Sequence, residues 1–120
     1  MYKIIFYRDV SGRSEISDYL DELYQKKDTS KEARVMLSKI VGCMEFLAQF
    51  GTRMGAPCIK HIEDDIWELR PKNSRIFFFY WKSEEFVLLS HYSKKTQKTP
   101  RREIEKAKRN RKSWIERNGV

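Results

Sequence analysis

Arg70 and Arg75 flank the four residues Pro71-Lys72-Asn73-Ser74. If that stretch is a hairpin loop, strand alternation sets the two guanidinium groups opposite each other on one face of a sheet, with Trp67 and Leu69 on the other. Opposed like charges repel by up to about 1 kcal/mol, a cost that is tolerated where a phosphate is the intended counter-ion. Glu68, two residues from Arg70 on the same face, is the alternative counter-ion. A second group follows closely in His91-Tyr92-Ser93-Lys94-Lys95-Thr96-Gln97-Lys98-Thr99-Pro100. It places an imidazole, a phenol, three ammonium groups and several hydroxyls at the mouth of the same sheet, a mixture suited to gripping phosphate and stacking on a base. An imidazole with an ordinary pKa of about 6.5 also suits proton transfer at neutral pH.

The elements that must position these groups are legible in the periodicity. Tyr2 to Tyr7 is β-branched and aromatic and precedes the turn Ser11-Gly12, so it reads as a strand. Ser14 caps a helix carrying Ile16, Leu20, Leu23 and Tyr24 that ends near Lys27. Thr29 and Glu32 form a capping box for a longer helix, in which Ala33, Met36, Leu37, Ile40, Val41, Met44, Leu47 and Ala48 keep a 3.6-residue period until Gly51. After Gly55-Ala56-Pro57 the period becomes two. Strands are predicted over Cys58 to Ile62, Asp65 to Arg70, Arg75 to Trp81 and Glu85 to His91. Thr99 then caps, and Pro100 opens, a last helix with a narrow stripe of Ile104, Ala107, Trp114 and Ile115. The expected fold is α+β, a single domain over residues 1–120 in the order β-α-α-β-β-β-β-α. An antiparallel sheet carries the helical hairpin on one face and lies partly open on the other, and the basic last helix docks weakly and shows its charge.

The charge is segregated. From Lys94 to Val120 there are eleven Lys or Arg against three Glu, which accounts for the whole net charge of +8; the first 93 residues balance fourteen bases with fourteen acids. A cationic segment on an electroneutral body is the footprint of a protein that meets phosphate backbones. With 40% apolar and 13% aromatic residues the chain is not a disordered one. The longest apolar run, Ile76 to Trp81, is far short of the roughly 20 residues that span a bilayer. With no basic-then-apolar N-terminal pattern, a cytoplasmic protein with no membrane association is expected. Cys43 and Cys58 lack both disulfide-framework and zinc spacing and read as packing residues, and Met36, Met44 and Met54 as core or interface fillers. His61, Glu63, Asp64 and Asp65 read as a solvated turn rather than a metal site. Neither metal nor cofactor is expected.

Four strings together resemble a known family: Ile66-Trp67-Glu68-Leu69-Arg70, Arg75-Ile-Phe-Phe-Phe-Tyr, the run from Val87 to Pro100, and Glu103-Ile-Glu-Lys-Ala. They look like the HigB-type branch of the RelE/ParE toxin superfamily, and the likeness covers nearly the whole chain. The resemblance implies a toxin of a type II toxin–antitoxin system, a metal-independent endoribonuclease that cuts messenger RNA on the ribosome through attack of the RNA's own 2′-hydroxyl. It also implies a cognate HigA-like antitoxin of helix-turn-helix type, through which alone operator DNA would be met. Carried over by position, the catalytic set is Arg70, Arg75, His91, Lys94 and Lys95, the register at the lysine pair being open by one residue; Tyr92, Lys98, Arg101 and Arg102 are expected as RNA contacts from their own chemistry, an aromatic to stack on a base and cations to hold the strand. Where RelE-type toxins carry lysines this chain has Ile66 and Glu68, and their late tyrosine has only Tyr92 nearby. Glu68 and His91 are both candidates for the general base. The antitoxin could dock on the cationic tail or on Tyr19 and Tyr24. A ParE-like gyrase-directed toxin and a non-catalytic nucleic-acid-binding module are the competing readings.

Overall fold

Ile76, Phe77, Phe78 and Phe79 form a run with no polar position, as expected of a strand covered on both faces. The computed structural model describes residues 1–53 and 57–120 and places this run in the middle of a five-stranded sheet. The elements are β1 (Lys3–Phe6), α1 (Glu15–Lys26), α2 (Lys31–Phe50), β2 (Ile59–Glu63), β3 (Ile66–Leu69), β4 (Ser74–Tyr80), β5 (Glu85–Ser93) and α3 (Arg101–Asn118). This is the expected element order in an α+β fold. Met54, Gly55 and Ala56, assigned above to a filler and a turn, lie outside the described residues. Among the described residues no helix is long and apolar enough to cross a membrane.

The sheet order is β1-β5-β4-β3-β2. Strands β2 to β5 form the antiparallel meander, but β1 pairs parallel with β5, from Lys3↔Glu85 to Phe6↔Leu88, so the sheet is mixed rather than antiparallel. A parallel partner requires a long crossover, and the helical hairpin lies within the connection between β1 and β5.

Each helix start shows which polar side chain won. Ser14 Oγ accepts from Ser17 N, as expected. The second cap is Ser30 and not Thr29: Ser30 has extended backbone (φ −128°, ψ 113°) and its Oγ accepts from Ala33 N at 3.1 Å. The Thr29 hydroxyl instead donates back to Lys26 O at 3.5 Å and closes the inter-helix turn. That shifts Glu32 to the second helical position, out of capping-box register. At α3, Pro100 is itself the cap residue, with no side-chain cap bond, so Thr99 does not cap.

Two cores sandwich the sheet. The hairpin packs Ile16, Ile40, Cys43 and Leu47 onto Leu69, Ile76, Phe78 and Leu88, with Tyr19 half-buried beside them and Tyr24 left exposed. On the opposite face Phe77, Phe79, Val87 and Leu89 meet Ile104 and Ala107 of α3, with Trp114 and Ile115 against the same cluster. The face expected to be open is therefore covered by α3, and the open surface is confined to its end.

Ion pairs explain how so basic a helix docks. Glu63 pairs with Arg101 and Lys108, Asp64 with Lys108, Asp65 with Arg111, and Glu15 with Lys106. The turn read as solvated is thus the acidic counterpart of the tail. Arg111 also lies over the Phe79 ring, and Trp114 meets Trp81 edge-to-face at 5.2 Å. The Arg101 guanidinium and the Lys108 ammonium hold the Glu63 carboxyl down to about 2 from its ordinary 4.5. A depressed carboxyl contributes stability above 4.5 that is lost as pH falls toward 2. Acid titration across that window should change the fluorescence of the Trp81–Trp114 pair, and Glu63→Gln should flatten the change. An identical acid transition in the variant would show that this ion pair does not hold α3.

Candidate functional site

The β3–β4 register, Leu69↔Ile76, brings Arg70 opposite Arg75 one step beyond the last pair, as the four-residue loop required. Both lie on the α3 face, and both turn their Nε toward one oxygen of Glu68: Arg70 Nε is 3.7 Å and Arg75 Nε 3.9 Å from Oε1. Glu68 is only 1% exposed. Burial pushes its carboxyl above the usual 4.5, against the pull of Arg75, then Arg70 and Lys94. The Glu68 alternative is therefore present in the structure: one carboxylate lies between the two guanidinium groups. One ionised carboxylate shared by two guanidinium groups leaves a positive charge over.

The arginines are not equivalent. Arg75 Nη1 donates to the carbonyls of Lys72 (2.7 Å) and Ser74 (2.8 Å), so the buried side chain pegs the turn in which Lys72 holds a left-handed φ of 53°. Its Nε has no hydrogen-bond partner, nor does that of Arg70, whose side chain is about one third exposed. These buried donors face a carboxylate too distant to bond well, so each guanidinium leans on Glu68 through charge rather than a hydrogen bond.

A bulge in β5 decides what joins them. The β4–β5 register runs Ser74↔Ser93 to Phe77↔Ser90 and then jumps to Phe78↔Leu88, leaving Leu89 as the extra residue. A bulge reverses alternation beyond it. Simple alternation from Val87 and Leu89 would put His91 on the arginine face; the bulge puts Tyr92 there, paired with Arg75, and turns His91 toward the hairpin, paired with Ile76. Asn110 of α3 donates to the Leu89 carbonyl at 2.8 Å, a polar contact at the irregularity.

Tyr92 stacks on Phe77 (5.7 Å between centroids) and its hydroxyl donates to Glu68 Oε2 at 3.4 Å. Burial raises the phenol above its ordinary 10. The structure places His91 apart from the arginines: it stacks flat on Tyr19 (4.2 Å, 11°) with Nε2 3.7 Å from Glu15 Oε2. Burial lowers its pKa despite Glu15. The arrangement separates the imidazole from the guanidinium pair.

Lys94 N donates to Asn73 O at 2.7 Å, so the chain leaving β5 runs beside the β3–β4 turn. Arg70, Lys72, Arg75, Lys94 and Lys95 thereby line one depression of about 520 Å³. Lys98 and Arg102 lie in a neighbouring depression at the start of α3. Arg101 borders it too, but both its terminal nitrogens contact Glu63 and one also contacts Glu105, so its charge is largely neutralised. Lys72, absent from the sequence-based site, joins through the left-handed turn; its place in a loop between two arginines was the available signal. Among the described residues no cluster of three or more His, Cys, Asp or Glu is placed to hold a metal ion. The assembly offers five cations around one concavity, a buried carboxylate facing the two arginines and a phenol bonded to that carboxylate, groups able to hold an anion and to exchange a proton.

Residues 18–112, which include every residue of this depression, match a family model described as Phage derived protein Gp49-like (DUF891). No curated protein matches the chain.

Proposed function

The chain belongs to the Gp49-like family of phage-derived proteins, a toxin-like family related to the RelE- and HigB-type toxins, and we propose that it is an endoribonuclease toxin that cuts messenger RNA on the ribosome. The observation carrying this reading is the convergence of Arg70, Arg75, Lys94 and Lys95 on one depression, with Glu68 facing both arginines from the buried side and its partner Tyr92 lining the adjoining depression. A phosphodiester seated there meets the guanidinium of Arg70 and the two ammonium groups, with the charge of Arg75 at its edge, which balance the charge that builds on its non-bridging oxygens.

The 2′-hydroxyl on the 5′ side of that phosphate attacks phosphorus. Tyr92 Oη takes the hydroxyl proton as it passes its own to Glu68 Oε2, and the raised carboxyl pKa makes Glu68 a better proton sink than an exposed glutamate. The P–O5′ bond breaks, a 2′,3′-cyclic phosphate remains, and the departing 5′-oxygen is protonated by Lys94 or Lys95. His91, on the hairpin side, takes no part. Lys95, Thr96 and Gln97 are exposed, so the depression does not enclose a strand and cannot by itself impose in-line geometry. Presentation of the message by the ribosome supplies that alignment. A cognate antitoxin would silence the toxin, and a partner rich in acids would suit the cationic rim.

Induced expression of wild type and Arg70→Ala in growing cells tests this. Wild type should arrest growth and create new RNA ends inside translated frames, and blocking translation initiation should abolish those ends. Arg70→Ala should relieve both effects. Arrest without new RNA ends would instead favour a ParE-like target such as gyrase.

A further inference from the structure

Two thiols meet where the helical hairpin packs beside the edge strand β2, and the site described above uses neither. Cys43, at 8% exposure, sits on the buried side of α2; Cys58 is half-buried one residue ahead of β2 and packs against the same core. The Cys58 thiol is in hydrogen-bonding contact with that of Cys43. Their spacing in the chain shows neither a disulfide framework nor a zinc pattern, and only the fold brings them together. We propose that Cys43 and Cys58 form a reversible disulfide under a hydroperoxide, stapling α2 to the start of β2. This chemistry is independent of the nuclease reading.

Both ends of such a bond are held in place. Cys43 lies on the helix face of Ile40 and Leu47, both fully buried, so α2 cannot turn the thiol away without uncovering them. Cys58 O accepts from Arg70 N at 2.8 Å, which ties its backbone to the end of β3. Thiols already in contact on fixed backbones meet the proximity that a disulfide requires. Accessibility sets the order of events. Burial, and then the Cys58 thiol beside it, push Cys43 up to about 12 from its ordinary 9.0, so it stays protonated and unreactive by itself. Cys58, the more accessible, reacts first. Its sulfur attacks a peroxide oxygen, the O–O bond breaks, and the departing hydroxide takes the thiol proton and leaves as water. Cys43 then attacks the sulfenic sulfur; the S–S bond forms as the S–O bond breaks, and the second oxygen leaves as water with the remaining protons. The two sulfurs lose two electrons, which the peroxide gains. The staple ties the hairpin to the strand pair that leads into Arg70.

Hydrogen peroxide added to the native full chain, with the thiols followed by alkylation and peptide mass, provides the test. Wild type should lose both free thiols together and yield one peptide pair joined at Cys43 and Cys58, lighter by two hydrogens and restored by dithiothreitol. Its melting temperature should rise by about 10 °C, as a bond closing a loop of about 15 residues predicts for a small domain. Cys43→Ala should leave Cys58 to accumulate as sulfenic or sulfinic acid, and Cys58→Ser should leave Cys43 unmodified. Oxidation of Cys58 in wild type without a crosslink, a crosslink formed only in urea, a reducible dimer in place of the internal bond, or no loss of either thiol would overturn the pairing. So would a crosslinked chain that melts no higher than the reduced one. None of these readouts involves RNA, so they stand whether or not wild-type expression produces new RNA ends.

Discussion

Alanine at position 75 is expected to destabilise the fold by about 3–5 kcal/mol, the cost of removing one partner of a buried ion pair. Two losses add. The Lys72 and Ser74 carbonyls lose their charged donor, at about 1.5–3 kcal/mol for such bonds, and the left-handed turn loses its peg. Glu68, at 1% exposure, keeps only Arg70 and Lys94 as nearby cations. Protonation limits the second loss, which gives the effect a pH signature. A carboxyl whose folded pKa is raised contributes most below its unfolded value of about 4.5, and that contribution drains away as pH rises through the folded value. Removing Arg75 raises the folded value further, so the defect should be larger at pH 7 than at pH 4 in urea unfolding. Adding Glu68→Gln should recover part of it at pH 7, since no orphaned carboxylate then remains. A loss below about 1 kcal/mol, or one independent of pH, would show that Arg75 is not the anchor described. For the same reason Arg70, about one third exposed and bonded to no carbonyl, is the cleaner probe of function.

Much of this geometry could be read from the residues because it depends on short-range rules. The loop of four between Arg70 and Arg75 fixed their opposition, and the 3.6-residue stripe of α2 and the apolar run of β4 assigned those elements. The bulge at Leu89 was invisible for a physical reason. Val87, Leu88 and Leu89 are all apolar because both sheet faces are buried, so no alternation records a register slip, and the slip exchanges His91 for Tyr92. The docking of α3 escaped likewise. Its partners Glu63, Asp64 and Asp65 lie far away in sequence, and composition shows charges without their pairing. The direction of β1 carries no local signature at all. Two adjacent hydroxyls, Thr29 and Ser30, could each have capped α2, and the length of the reversal between helices selected the second.

Under the proposed nuclease mechanism the exchange at the bulge decides which group is the base, and Tyr92→Phe measures it. Phenylalanine keeps the ring on Phe77 and removes only the oxygen that bonds Glu68, so RNA binding and fold should be retained. Cleavage by ribosomes programmed with message should fall by about 100- to 10,000-fold, the usual worth of positioned proton transfer. Glu68→Gln should fall by a similar factor, and the double variant should be no slower than the worse single, since two members of one relay fail together. In wild type the rate should rise with pH as Glu68 loses its proton, with a midpoint above 4.5 set by its burial, and that limb should vanish in Glu68→Gln. His91→Gln, which alters a ring stacked on Tyr19 across the sheet, should leave the limb in place. If His91→Gln removed the pH dependence while Tyr92→Phe cut at the wild-type rate, the imidazole and not the phenol would be the base, and the chain near Ser90 would have to rearrange on the ribosome to bring it round.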